Sequence, residues 1–464
     1  MKFINRHEEL SSLEDEFKQL SKRASLVVVY GRRRVGKTEL IKEFARKRNH
    51  VYFLATLQSR EEVVRNFSLK AAEFFGDKAT IAQPHVTWDG FFEYLAREIK
   101  EVGKPIVLVF DEFTYLAQQD SATASIFQYY WDEKLKQLPV MLILCGSYVG
   151  MMEREVLSYK SPLYGRSTRH LFVLELGFEH LRDFAPDYTK TQLVELYSIL
   201  GAVPFYLLQF DPEKTPLENV RSVFLDKTRS LYNDGLLLLR DELKEPRNYL
   251  SILKAISFGK TTPKEIADHA HLEPLLVGKY LDVLRGMKLV SRVVPATEKN
   301  PEKSKKGSYR ITDNYYDFWL KFVYPYADYI EEGRQDELVK NIIAPNLNAY
   351  VGRAFEALAR KKMIELNKKG GLPFVFERIG AWWRGDSEID IVALNEKTKE
   401  ILFAEVKWAD LNEKDVSALL FSLKEKAALV EWNQGKRKEH YAIIAKKLHS
   451  KKGGDAFLLD LEDF

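Results

Sequence analysis

Eight residues near the start of the chain, "GRRRVGKT", follow the spacing G-x-x-x-x-G-K-[ST]. Gly31, Gly36, Lys37 and Thr38 hold the fixed positions, with Arg32, Arg33, Arg34 and Val35 between them. These residue types suit a phosphate chain. Glycines let the backbone curl until its N–H groups point inward, and the helix opening at Thr38, with Glu39 in its first turn, adds the positive end of its dipole. A lysine in this place reaches β- and γ-phosphates, and the threonine hydroxyl ligates Mg²⁺. The apolar run "VLVFDEF" ends in a pair of acids. Asp111 is placed to hold the Mg²⁺ through water, and Glu112 to orient or deprotonate an attacking water. "MLILCGS" ends at Ser147, a hydroxyl suited to the γ-phosphate or that water. "LYGRSTRHLFVLEL" offers Arg166 and Arg169 as guanidinia that could sense the γ-phosphate, in cis or in trans.

A second constellation lies far downstream, in "EIDIVALNEKTKEILFAEVKW". Two apolar runs flank a polar turn, with Asp390 in the first and Glu405 and Lys407 in the second. Residues two apart on a strand point the same way, so Glu405 and Lys407 share a face and Val406 points opposite. Asp390 precedes Glu405 by fifteen residues, as suits a hairpin. The helical "VGRAFEALARKKM" adds Glu356 beside Phe355 and Leu358. A carboxylate from each strand and one from a helix could converge on a divalent metal, Mg²⁺ or Mn²⁺, with Lys407 positioning or activating the attacking water. The expected metal ligands are therefore Thr38 and Asp111 at one end of the chain, and Glu356, Asp390 and Glu405 at the other.

The elements that must position these residues are legible in outline. Leu26–Tyr30 reads as a strand entering the glycine turn, and a helix follows over Thr38–Lys47. "PIVLVFDEF" and "LPVMLILCGS" are further short apolar runs bounded by Pro and Gly, so the pattern is that of a parallel sheet with helices on both faces. Amphipathic Leu-rich stretches follow. Then "TTPKEIADHAHLEPLLVGKYLDVLRGMKLVSRVVP" reads as a helix-turn-helix, with Ile266, Ala267 and Ala270 packing on Val277, Tyr280, Leu281 and Leu284. "LVSRVVPAT" and "GSYRITD" would form a wing hairpin tipped by Lys303, Lys305 and Lys306, and Lys279 lies on the candidate recognition helix, able to meet phosphates.

The chain has 464 residues, 45% of them apolar, which is enough for about three cores. No run of 18 or more apolar residues predicts a membrane span, and the N-terminus has no signal-type apolar segment. The lone Cys145 cannot close an internal disulfide, which fits a cytoplasmic protein. A net charge of +4 neither demands nor excludes a nucleic acid partner.

Taken in order, "INRHEELSSLE", the glycine loop, "VFDEF", "CGS", "YGR" and "GAVP" resemble the archaeal ATPases of the AAA+-related STAND class over roughly residues 1–240. The resemblance implies ATP rather than GTP, and no N-K-x-D guanine motif occurs in the sequence. It places Asn5 and Arg6 beside the adenine, and the turn from Gly201 to Pro204 in a helical lid next to the nucleotide. It also implies a slow, nucleotide-set switch rather than a fast motor. Residues 346–464 resemble a domain of unknown function carried by many such archaeal ATPases and, beyond it, the PD-(D/E)XK nuclease superfamily, with Glu356 in the first-helix position and Ile389-Asp390 replacing Pro-Asp.

The expected organisation is a multidomain α/β chain. A P-loop ATPase core spans 1–180, a helical lid 181–245, a winged helix-turn-helix 246–318, linker helices 319–345 and a restriction-endonuclease-like domain 346–464. The favoured function is an ATP-binding and ATP-hydrolysing protein that controls a metal-dependent, DNA-directed nuclease domain. The alternative is an ATP/ADP-dependent switch or scaffold whose C-terminal domain binds DNA or protein without cutting, with ATP-dependent assembly into a homo-oligomer.

Overall fold

The computed structural model describes residues 3–243, 245–451 and 454–464, which include every candidate site residue named above. Two compact units emerge. One comprises Met1–Leu176 with Val203–Phe205, the other Gly177–Ala202 with Tyr206–Phe464.

The first unit is built on five parallel strands: β1 (Ser25–Tyr30), β2 (His50–Leu54), β3 (Ile106–Asp111), β4 (Val140–Gly146) and β5 (Arg169–Phe172), in the spatial order β2-β3-β4-β1-β5. Both faces are covered. Leu26 and Val28 of β1 join one apolar cluster with Phe53, Phe91 and Phe110; Val27 and Val29 join another with Ile41, Phe44 and Val109. Strands buried on both faces lose the alternating pattern and read as continuous apolar runs. In such a sheet ligands bind outside the carboxyl ends of the strands, and Tyr30, Asp111 and Gly146 stand at those ends.

The second unit opens with helices. A two-stranded antiparallel hairpin, β6 (Val290–Val293) and β7 (Ser308–Ile311), follows the three helices Pro246–Ser257, Pro263–Ala270 and Pro274–Gly286. Ile266 and Ala267 are buried, as are Val277, Leu281 and Leu284; Tyr280 is only half-buried and hydrogen-bonds Asn248 and Glu245. The 25-residue helix Ala344–Lys368 then leads into a second sheet. Its strands are β8 (Arg378–Arg384), β9 (Ser387–Asn395), β10 (Glu400–Leu411), β11 (Lys438–Leu448) and β12 (Phe457–Leu459), ordered β12-β11-β10-β9-β8. The β8–β9–β10 pairs are antiparallel and the β10–β11–β12 pairs parallel. Val392, Leu394, Ile401 and Phe403 pack with Val416, Leu423 and Ala427 of helix Glu413–Ala428. Phe355 of the long helix packs on Trp408 at 5.0 Å between ring centroids. Among the described residues, no helix is long and apolar enough to cross a membrane.

Candidate functional site

The glycine loop runs from the end of β1 into helix Lys37–Ala45. Gly31 is required by close approach: a Cβ there would stand 2.3 Å from the Val173 carbonyl oxygen. Gly36 caps the helix at φ 94°, where a side chain would be strained. Lys37 is buried, and its Nζ donates to the carbonyls of Gly31 at 2.9 Å and Arg32 at 2.8 Å, folding over its own loop. Thr38 Oγ1 donates to Asp111 Oδ2 at 2.8 Å, so the hydroxyl and carboxylate expected to serve one Mg²⁺ already meet. The donor set of Thr38 and Asp111 fits that ion. Tyr52 of β2 also donates to Asp111 Oδ2, and burial, followed by the charge of Asp111, raises the Tyr52 phenol pKa.

Glu112 sits at φ 54° just past β3. Its Oε1 accepts a 2.8 Å hydrogen bond from Ser147 at the end of β4, while its Oε2 is buried with no hydrogen-bond partner among the described residues. A carboxylate held on one oxygen and bare on the other is placed to accept a proton or order a water. Two of the loop arginines are engaged around this site. Arg33 donates to the Tyr115 hydroxyl at 2.7 Å, and the Arg34 guanidinium lies 4.1 Å from the centre of the Phe205 ring. That contact brings the segment containing Pro204 to the loop within the same compact unit.

Other expected ligands turn elsewhere. Arg6 donates to the carbonyls of Val35 at 2.8 Å and Leu174 at 2.7 Å, so its guanidinium fastens the opening segment to the loop; Asn5, beside it, adopts φ 57°. Glu39 is exposed and pairs with Lys42 at 3.1 Å. Arg166 is bound by Asp132 at 2.7 Å. Arg169 stands farther from the loop. It begins β5 and is level with Val27 in β1, four residues before Gly31, where it pairs with Glu16 at 3.2 Å. The parallel register carries it away from the carboxyl end of the sheet.

The downstream constellation is formed by a hairpin. Pairing of β9 with β10 runs from Asn395↔Glu400 to Ile391↔Ala404, so the next step sets Asp390 opposite Glu405. β9 carries one extra residue here, because Gly380 and Trp382 of β8 face Val392 and Ile389. Such bulges re-aim side chains beside functional sites. Asp390 Oδ2 accepts the Val406 N–H at 2.7 Å. Lys407 Nζ lies 2.8 Å from Glu405 Oε1. Burial and the facing Glu405 push Asp390 up to about 6; burial and Asp390 push Glu356 up to about 7. Burial works against the charge of Lys407, but the hydrogen bond and charge of Glu405 hold its pKa above the ordinary value.

The expected three-carboxylate shell is not assembled. Among the described residues, no group of three or more His, Cys, Asp or Glu is arranged to hold one metal ion. Lys426, on helix Glu413–Ala428, stands against Glu405 instead, its Nζ contacting both carboxylate oxygens at 3.1 and 3.2 Å. Glu356 remains an electrostatic neighbour. Two opposed, desolvated carboxylates are a donor set that a hard divalent cation would relieve, so Asp390 and Glu405 fit such an ion with Glu356 outside. Sequence reasoning missed Tyr52 and Lys426. Lys426 sits between Leu423 and Ala427 on the buried stripe of its helix, and a lysine at that spacing was the available signal.

Residues 3–210 match the family described as an ATPase domain predominantly from Archaea, and residues 319–419 one described as archaeal and bacterial proteins of unknown function. An uncharacterized protein of Methanocaldococcus jannaschii is 37% identical across the full length of both chains. An uncharacterized ATP-binding protein of the same organism is 55% identical over 42 residues, 9% of this chain and 68% of that one. Among solved structures, a Walker-type ATPase of Pyrococcus abyssi superposes with a TM-score of 0.52 at 22% identity, covering 68% of this chain and 96% of its own.

Proposed function

The chain belongs to the archaeal family that joins this ATPase domain to a C-terminal domain of unknown function, and from that premise we propose that it is an ATP-hydrolysing, STAND-type protein controlling a nuclease-like domain. The observation that carries the ATPase half is the meeting of Thr38 with Asp111 beside a Glu112 carboxylate held by Ser147 on one oxygen only. Lys37 would leave its loop carbonyls for the β- and γ-phosphates, and Glu112 would order the attacking water and take its proton. Mg²⁺, held by Thr38 and Asp111, would supply neutralisation of charge on the phosphate oxygens. In this reading residues 181–245 serve as a lid, 246–318 as a winged helix that meets DNA, 319–345 as linker helices and 346–464 as the nuclease-like domain.

The nuclease half rests on Asp390 opposite Glu405 with Lys407 alongside. These carboxylates would hold Mg²⁺ or Mn²⁺, which supplies Lewis acidity at a phosphodiester; Lys407 would orient the attacking water. One experiment tests both halves: wild type, Glu112→Gln and Asp390→Ala incubated with supercoiled and branched DNA, divalent metal and ATP. Glu112→Gln should keep ATP binding and lose phosphate release by roughly 10²–10⁴-fold. Asp390→Ala should keep ATP binding and hydrolysis and lose cleavage. Cleavage retained in Asp390→Ala removes the nuclease assignment, and full phosphate release in Glu112→Gln removes the base.

A second reading, a switch whose C-terminal domain binds without cutting, is favoured by one observation. Glu405 is neutralised by both Lys407 and Lys426, as in a site where lysines replace the cation. It calls for no cleavage with any metal and for nucleotide-dependent partner capture.

A further inference from the structure

The second unit contains an open cleft of about 1010 Å³ between the β6–β7 hairpin loop and the β8–β9 hairpin. Its two walls are fixed to one another. The Ala296 N–H donates to the Ala381 carbonyl at 2.8 Å, Arg378 donates to the Glu298 carbonyl at 2.8 Å, and Arg310 pairs with Glu388 at 3.0 Å. The loop itself is held in shape by Arg292, which donates to the carbonyls of Pro301 at 2.8 Å and of Ser304. The cleft is thus a preformed feature rather than a gap between loose loops.

Its lining divides by chemistry. One wall presents Lys299, Lys305 and Lys306. Lys306 is paired with Glu298 at 2.6 Å. Lys299 and Lys305 are exposed, and among the described residues neither ammonium meets an acid. The other wall presents the half-buried Trp383, level with Glu388 across the β8–β9 pair. Two free cations facing an accessible indole make a combination for a ligand with a phosphate on one side and a flat ring on the other. The volume stands at the top of the range for small-molecule sites, and the cleft is open, which suits a segment of a chain better than an enclosed metabolite. Ring faces are available for stacking only where a strand is unpaired. The cleft also borders the acids: Glu388 lies two residues before Asp390, and Arg310 and Glu388 both act on the charge of Glu356.

The geometry points to this cleft as a seat for single-stranded nucleic acid, with Lys299 and Lys305 on phosphates and Trp383 stacked on a base. The inference deepens the nuclease reading by naming its substrate as an unpaired or frayed strand, and it rests on that reading only for what happens after binding. Of the acids elsewhere in the lining, Glu298, Glu396 and Glu431 are already paired with Lys306, Arg378 and Arg384, and Asp386, at the β8–β9 turn, opposes a phosphate there. The strand is therefore held by few phosphate contacts, and stacking carries much of the affinity.

The test uses the full-length protein in EDTA, a fluorescein-labelled oligothymidylate and a duplex of equal length, read by anisotropy and by quenching of tryptophan emission. Wild type should bind the single strand in preference to the duplex, with quenching. Trp383→Ala should weaken single-strand binding about ten-fold or more, with Trp383→Phe restoring most of it. Lys305→Glu, an exposed loop change that leaves the fold intact, should weaken it further at low salt than at high salt. Unchanged affinity in Trp383→Ala, equal binding of duplex, or equal competition by polyglutamate, which would mark a simple polyanion patch or a peptide site, overturns the assignment. Failure here is distinguishable from failure of the nuclease reading. Trp383-dependent binding without cleavage in Mg²⁺ or Mn²⁺ sinks only the nuclease; Asp390-dependent cleavage that ignores Trp383 sinks only the cleft.

Discussion

Asp390 and Glu356 carry a charge cost that has a measurable sign. Both titrate above the ordinary carboxyl range, at about 6 and about 7, because burial and facing carboxylates disfavour ionisation. The folded chain therefore holds protons that the unfolded chain releases. Their contribution to stability is fully present below about pH 4 and is lost as pH rises through 6 to 7, by an amount on the order of 1–3 kcal/mol. In metal-free buffer, denaturant unfolding should show the second unit less stable at pH 8 than at pH 5, and Asp390→Asn should flatten that slope. Mn²⁺ at pH 8 should restore wild type and leave Asp390→Asn unmoved. A steeper slope in Asp390→Asn would mean the carboxylate is stabilising, not strained. At this scale the sequence was most informative where the backbone constrains chemistry. Gly31 and Gly36 could be placed because only glycine fits their positions. Arg166 and Arg169 could not, since a guanidinium near a motif gives no clue whether an Asp132 or a Glu16 will claim it.

Among the elements, β1, β3 and β4 were legible as uninterrupted apolar runs because both of their faces are covered. β2 and β5 flank the sheet, are only partly buried and mix polar with apolar residues, so neither run stood out. The β9–β10 hairpin was legible through its two apolar runs and the polar turn between them. Helix Glu413–Ala428 was not, because its stripe is thin, and the lysine that governs Glu405 went unseen with it. The β6–β7 loop is the element whose order is least expected from composition. "NPEKSKKGS" has the composition of a loop, and Arg292 holds it through two carbonyls. Arg292→Ala should raise amide exchange across residues 301–306 by roughly ten-fold or more while costing about 1–2 kcal/mol or less in global stability. Exchange as slow as wild type would show that other contacts shape the loop.

For the whole molecule, two compact units with separate cores predict two calorimetric transitions. ATP-γ-S with Mg²⁺ should raise the transition of the unit bearing the phosphate loop, by about 2.7 kcal/mol at a hundred times Kd. A control function requires the same nucleotide to alter the second transition too, typically by 1–3 kcal/mol, the measure of coupling between sites. A second transition indifferent to nucleotide, in wild type and in Lys37→Ala alike, would reduce the chain to two activities sharing a polypeptide.

The hairpin that places Asp390 opposite Glu405 also bears on how such a site is lost over generations. Both acids are counted from one short turn, five residues back from Asn395 and five forward from Glu400, with Lys399 at φ 56° helping to set the reversal. A point substitution at either acid leaves its partner in place and can be reversed by a single codon change. A one-residue insertion between Asp390 and Asn395 would turn Asp390 to the other face and leave every letter of the motif intact. Relatives that have lost the site this way would keep "EID" and "EVK" in plain view, and the altered count between them would be the only trace.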